Sequence, residues 1–143
     1  MSDFKDMAQG TSFLPVLADD LPKESIRKIL LVSGKLYYDL LKERTARKLS
    51  DVAIIRVEEL APFPKEELSE EIAKYSKVDQ VVWVQEEPMN QGPWTFVEPR
   101  LRAALEAVPV RYWGRKPSPV TAAGVSKVHK LEQDMVVKGV FDL

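Results

Sequence analysis

The sequence predicts an α/β domain, a mostly parallel sheet between two helical layers in a three-layer α/β/α arrangement. Three observations lead there. Short apolar runs alternate with charged, helix-periodic stretches along most of the chain. The runs are apolar at consecutive positions, as strands covered on both faces are. Glycine, serine and proline cluster at their borders, where a strand has to turn into a helix.

The elements follow in order. Residues 1–25 hold two prolines, a glycine and scattered charges with no sustained period, which reads as an extended arm or an interdomain linker before a domain spanning 26–143. "KILLV" (28–32) is a buried strand ending at Ser33-Gly34. "KLYYDLLKERTARKL" (35–49) places Leu36, Tyr37, Leu40 and Leu41 on one helical face and its charges on the other. "DVAIIRV" (51–57) is a second strand. Pro62 and Pro64 then hold a loop open until a helix begins at about Lys65 with acids in its first turns. "VDQVVWVQ" (78–85) is a third strand, followed by the loop "EEPMNQGPW". Pro99 is expected to delay the next regular helix to about Arg100. "VPVRYWG" (108–114) is a fourth strand, a proline-bearing loop follows, and "SKVHKLEQDMVVKGVF" (126–141) closes the chain as a helix.

Composition removes several kinds of function. The 143 residues carry 21 basic and 22 acidic side chains, a net charge of −1, without the basic excess of a nucleic-acid binder. There is no cysteine, hence no disulfide, thiolate nucleophile or Cys-ligated metal. A single histidine, His129, cannot build a multi-histidine metal site. No apolar run is long enough to span a bilayer, and the first residues lack the order of a secretory signal or transit peptide. An intracellular protein with neither a nucleic-acid nor a membrane partner is expected.

In a parallel sheet, ligands and partners meet the loops at the carboxyl ends of the strands. Ser33, Gly34 and Lys35 form one such turn, which with Arg56 could contact an anion; it lacks the glycine-rich lead of a phosphate loop. Glu86 and Glu87 leave their strand as neighbours and so point to opposite sides, which argues against a shared acid/base site. They are expected to fix the loop or an interface, by accepting backbone amides or pairing with an arginine such as Arg56 or Arg115. Asn90, Gln91 and Gly92 would make the turn, with Trp94 as an anchor after it. His129 has Glu132 three residues on, so a local helix contact is the simple account. No catalytic or metal-binding residue is expected.

"SGKLYYDL" (33–40), "DVAIIRVEELAPFP" (51–64), "WVQEEPMNQGPW" (83–94) and "SKVHKLEQ" (126–133) occur in one order. Together they closely resemble the C-terminal domain of the E1 component of 2-oxoglutarate dehydrogenase, or of the related 2-oxoadipate dehydrogenase. The resemblance covers residues 26–143, and "DMAQGTSFLPVL" is similar to the segment leading in. It implies the fold of the transketolase C-terminal domain. It also implies a parent enzyme that uses thiamine diphosphate and magnesium to decarboxylate 2-oxoglutarate and passes the succinyl group to the lipoyl group of E2. The thiamine signature, Gly-Asp-Gly followed by a distant asparagine, is absent here. The implied role is therefore non-catalytic packing against the other E1 domains and the dimer mate, in a bacterial cytoplasm or a mitochondrial matrix. Two other readings are a stand-alone adaptor of the same fold, or a regulatory module binding acetyl-CoA or a nucleotide.

Overall fold

The structure is a computed structural model that describes residues 14–115 and 126–143, with side chains from Lys130 onward in the second stretch. The strands are β1 (Val16–Leu17), β2 (Lys28–Val32), β3 (Val52–Val57), β4 (Gln80–Pro88) and β5 (Val110–Arg115). The helices are α1 (Leu36–Arg47), α2 (Lys65–Ala73), α3 (Trp94–Ala104) and α4 (Ser126–Gly139), with a final 3-10 turn at Val140–Asp142. One sheet forms in the order β1-β3-β2-β4-β5. β2 pairs in parallel with both β3 and β4, and β4 in parallel with β5; only β1 is antiparallel.

The consecutive apolar residues of each strand divide by parity between two cores, as period-2 geometry requires. Ile29, Leu31, Ala53, Ile55, Val81 and Trp83 face α2 and α3. Leu30, Val32, Val52, Ile54, Val82 and Val84 face α1 and α4. Each fully buried aliphatic side chain contributes about 1.5–3 kcal/mol relative to exposure.

Three elements differ from expectation in an informative way. α3 begins at Trp94 and runs through Pro99. Proline removes one amide donor, here from the carbonyl four residues back at Thr95, and both residues are exposed, so water can serve that carbonyl. The buried stripe Trp94, Val97 and Leu101 holds the helix across the proline. β4 runs to Pro88, beyond the expected end at Gln85, because an irregular pairing carries it alongside β5 as far as Arg115. Within the stretch expected as an arm, Val16–Leu17 pairs with Val57 and Arg56 at the sheet edge.

The Asp19 carboxylate holds that edge strand in place. It pairs with Arg44 of α1 and accepts the backbone N–H of Ile54 at 2.7 Å and of Leu21 at 3.1 Å. Arg44 also donates to the Val52 carbonyl at 3.1 Å. At the amino end of the sheet the buried Lys28 ammonium donates to the carbonyls of Val140 (3.1 Å) and Leu143 (3.0 Å). α4 therefore runs back from the carboxyl end of the strands to the amino end.

Candidate functional site

The strand order reverses between β2 and β4, since β3 lies on one side of β2 and β5 beyond β4. The crevice outside the carboxyl ends of β2 and β4 is the place where such sheets bind ligands. It holds a cleft of about 120 Å³ lined by Ser33, Leu36, Trp83, Gln85, Glu86 and Pro93, among others.

Gln85 organises the loop above this cleft. Its side-chain carbonyl accepts Trp83 Nε1–H at 3.0 Å and the Trp94 backbone N–H at 2.9 Å. Its amide donates to the carbonyls of Glu87 (3.1 Å), Pro88 (3.0 Å) and Gln91 (2.9 Å), two N–H groups shared among three acceptors. One buried side chain thus fixes the end of β4, the turn and the start of α3, serving an N-terminal amide of the helix that has no partner within it. Sequence reading passed Gln85 over in favour of the two glutamates. The signal was present: parity puts Gln85 on the Trp83 face, where a lone polar residue after "VVWV" has to be hydrogen-bonded.

The two glutamates turn to different partners. Glu86 accepts Gln133 Nε2–H of α4 at 2.7 Å. Glu87 lies over Gly92, whose φ of +68° favours glycine; a Cβ there would fall 2.8 Å from Glu87 Oε2. The expected arginine partners are engaged elsewhere, Arg56 with Glu58 at 3.2 Å and Arg115 with Glu132 at 3.5 Å. Asn90 is exposed in the turn, and Gln91 N–H closes it onto the Pro88 carbonyl at 2.9 Å. Trp94 is buried, its ring 5.4 Å from that of Tyr112. The Tyr112 hydroxyl lies 2.6 Å from the Arg115 carbonyl and 3.2 Å from that of Glu87. Burial, with the charge of Glu87 adding to it, pushes this phenol up to about 12.

Gly34 sits at φ +76°, and its carbonyl and that of Lys35 accept the amides of Tyr37 and Tyr38. Lys35 is exposed just before α1, and Ser33 is half-buried in the cleft. Arg56, one strand over, has its guanidinium 4.3 Å from the Tyr37 ring centre as well as its ion pair with Glu58. The side chain of His129 and residues 116–125, the stretch expected as a proline-bearing loop, lie outside the described residues.

The sequence lacks the Gly-Asp-Gly diphosphate signature of thiamine enzymes, the cleft at the carboxyl end is smaller than the roughly 300–1,000 Å³ of small-molecule sites, and among the described residues no three metal-ligating side chains converge. A second cavity, of about 390 Å³, lies at the opposite end of the strands between Arg27, Lys28, Asp51, Asp79, Phe141 and Leu143. Among the described residues no helix is long and apolar enough to cross a membrane.

Comparison with known proteins places this arrangement. The family profile for the C-terminal part of 2-oxoglutarate dehydrogenase matches residues 1–141. The 2-oxoadipate dehydrogenase complex component E1 of Homo sapiens is 42% identical over 144 residues, and the 2-oxoglutarate dehydrogenase E1 component of Azotobacter vinelandii 41% over 147. Each alignment covers 99% of this chain but only 16% of the relative. Among solved structures, a split-gene transketolase, an inactive β4 tetramer, superposes with a TM-score of 0.60 at 18% identity, over 91% of this chain and 42% of that one. Its likeness is one of fold. With a mostly parallel sheet of transketolase type and a match that runs almost from end to end, the chain belongs to the 2-oxoglutarate dehydrogenase C-terminal family.

Proposed function

We propose that the chain is a non-catalytic packing domain of a thiamine-diphosphate-dependent 2-oxo acid dehydrogenase E1. Its folded unit spans residues 26–143, with Val16–Leu17 of the preceding segment added as an edge strand. The parent would decarboxylate 2-oxoglutarate or 2-oxoadipate, in a bacterial cytoplasm or a mitochondrial matrix. It would pass the acyl group to the lipoyl group of E2. The observation that carries this reading is the coverage: end-to-end similarity to E1 components of which the chain spans 16%. The loop chemistry supports it. Gln85 binds loop backbone, Glu86 binds Gln133 and Trp94 is buried, so these groups act on the domain's own framework rather than on a substrate. Thiamine diphosphate and magnesium, where bound, would supply the carbanion chemistry from other domains.

A regulatory contact for acetyl-CoA or a nucleotide at Ser33, Gly34, Lys35 and Arg56 has less support, because the Arg56 guanidinium is already paired with Glu58 and stacked on Tyr37. The test is complementation. Added to an E1 lacking its C-terminal region, the chain should restore a soluble dimer and 2-oxo acid decarboxylation. Alone, with thiamine diphosphate and magnesium, it should turn over nothing, and measurable turnover would overturn the proposal.

A further inference from the structure

Six large apolar side chains among the described residues are exposed, at 37–70%: Leu14, Tyr38, Met89, Phe96, Leu131 and Met135. The topology brings five of them to one end of the molecule. Tyr38 and Phe96 sit in the first turns of α1 and α3, and Met89 in the turn after β4. All three follow the carboxyl end of a parallel strand. Leu131 lies two residues before Gln133, which holds Glu86 at the end of β4. Leu14 is beyond Val16, which pairs with the last residue of β3, and Glu58 N–H bonds to Pro15 O at 2.7 Å. Met135 continues the Leu131 stripe one helical turn down α4. None of the six lies at the amino end, where exposed positions such as Lys77 and Glu106 are charged.

An apolar group gathered on one end of a domain marks an interaction surface. We propose that this carboxyl end is the docking face for an apolar protein surface on the part of E1 that precedes this region. The inference rests on the function proposed above. The occupant follows from the family match: the matching family is a C-terminal one, and the relatives hold more than four-fifths of their length outside the match, so in them that length precedes it. Tyr38 and Phe96 suit such a contact, since aromatic side chains dominate interface energetics.

The experiment uses the 143-residue chain and the body of the Azotobacter vinelandii E1 without its matching region, with affinity read by interferometry. Tyr38→Glu, Phe96→Glu and Leu131→Glu should each weaken association roughly tenfold or more. Lys77→Glu and Glu106→Lys, at the amino end, should leave it unchanged. All five positions are exposed, and coincident thermal melts confirm an intact fold. In hydrogen exchange, amides of residues 88–97 should gain protection when the body is added. Equal binding by the carboxyl-end variants, or loss only with the amino-end ones, overturns the proposal. Protection already complete in the chain alone assigns the cover to its own residues and overturns it too. If the unsubstituted chain ignores the body, the E1-domain reading itself falls. Sedimentation then decides what remains: a dimer of the chain that the carboxyl-end variants dissociate gives the face to a second copy, and a monomer removes the docking face altogether.

Discussion

Gln85 shows how one side chain can carry a loop. Replacing it by alanine leaves Trp83 Nε1–H, the Trp94 amide and three carbonyls to find other partners. Each buried unsatisfied group costs about 1–3 kcal/mol. Some will reach water through the cleft, so Gln85→Ala should destabilise the domain by roughly 3 kcal/mol, measured by urea denaturation. The same variant should loosen the Glu86–Asn90 turn in hydrogen exchange more than the sheet. The sequence drew attention to this loop but to its less informative residues. Adjacent charges stand out in a string of letters, whereas the significance of a glutamine depends on which face of a strand it occupies and on what converges there. For Glu86 the expected kind of role, fixing an element, survives with another partner: Gln133, far away in sequence, instead of an arginine.

At the scale of elements, strands were the most legible because they are apolar on both faces, and the boundaries of β2 could be read off directly. The start of α3 does not follow from local proline chemistry, because the buried stripe of Trp94, Val97 and Leu101 overrides it. Pro99→Ala should accordingly stabilise the domain, by up to about 3 kcal/mol in urea denaturation, since alanine restores the helix hydrogen bond and removes the ring's clash with the carbonyl four residues back. β1 could not be read at all. Two residues have no period, and their place comes from Asp19 reaching Arg44 and the Ile54 amide. Asp19→Ala breaks a buried pair and leaves the Arg44 charge uncompensated, which typically costs about 3–5 kcal/mol. The expected signature is a lower urea midpoint together with faster exchange at Ile54 and Leu21. Unchanged exchange at both would remove Asp19 from this role.

For the whole molecule, alkaline pH tests the two ends of the sheet together. Burial lowers the Lys28 pKa below 10.5, only partly opposed by Asp51, Asp142 and Asp79, and Arg111 lowers it further. The folded state therefore releases this proton first, and its contribution to stability rises between the folded-state pKa and 10.5. Tyr112 behaves oppositely: its phenol is raised from 10 to about 12, so the stability it contributes is complete below pH 10 and lost as pH climbs to about 12. Burial raises Tyr75 in the same direction. Stability should hold to about pH 10 and then fall, with phenolate absorbance of two tyrosines appearing only as the fold is lost. Lys28→Met should flatten the approach to that limit and leave the fall in place. Both calorimetry and ultraviolet titration follow this. The fold as a whole was legible in the alternation of runs. The docking end was not, because exposure of Tyr38, Met89, Phe96 and Leu131 is decided by what surrounds them in space.

The short strand at the sheet edge has one more consequence. β3 carries Val52-Ala53-Ile54-Ile55, an uncharged run rich in β-branched residues of the kind that stacks readily into fibrils. With Val16–Leu17 against its last residues and the Asp19 carboxylate occupying the Ile54 amide, that edge offers no continuous row of free N–H groups to a passing strand. The arm is in this sense a guard against polymerisation, and whatever displaces it exchanges a folding problem for a solubility problem.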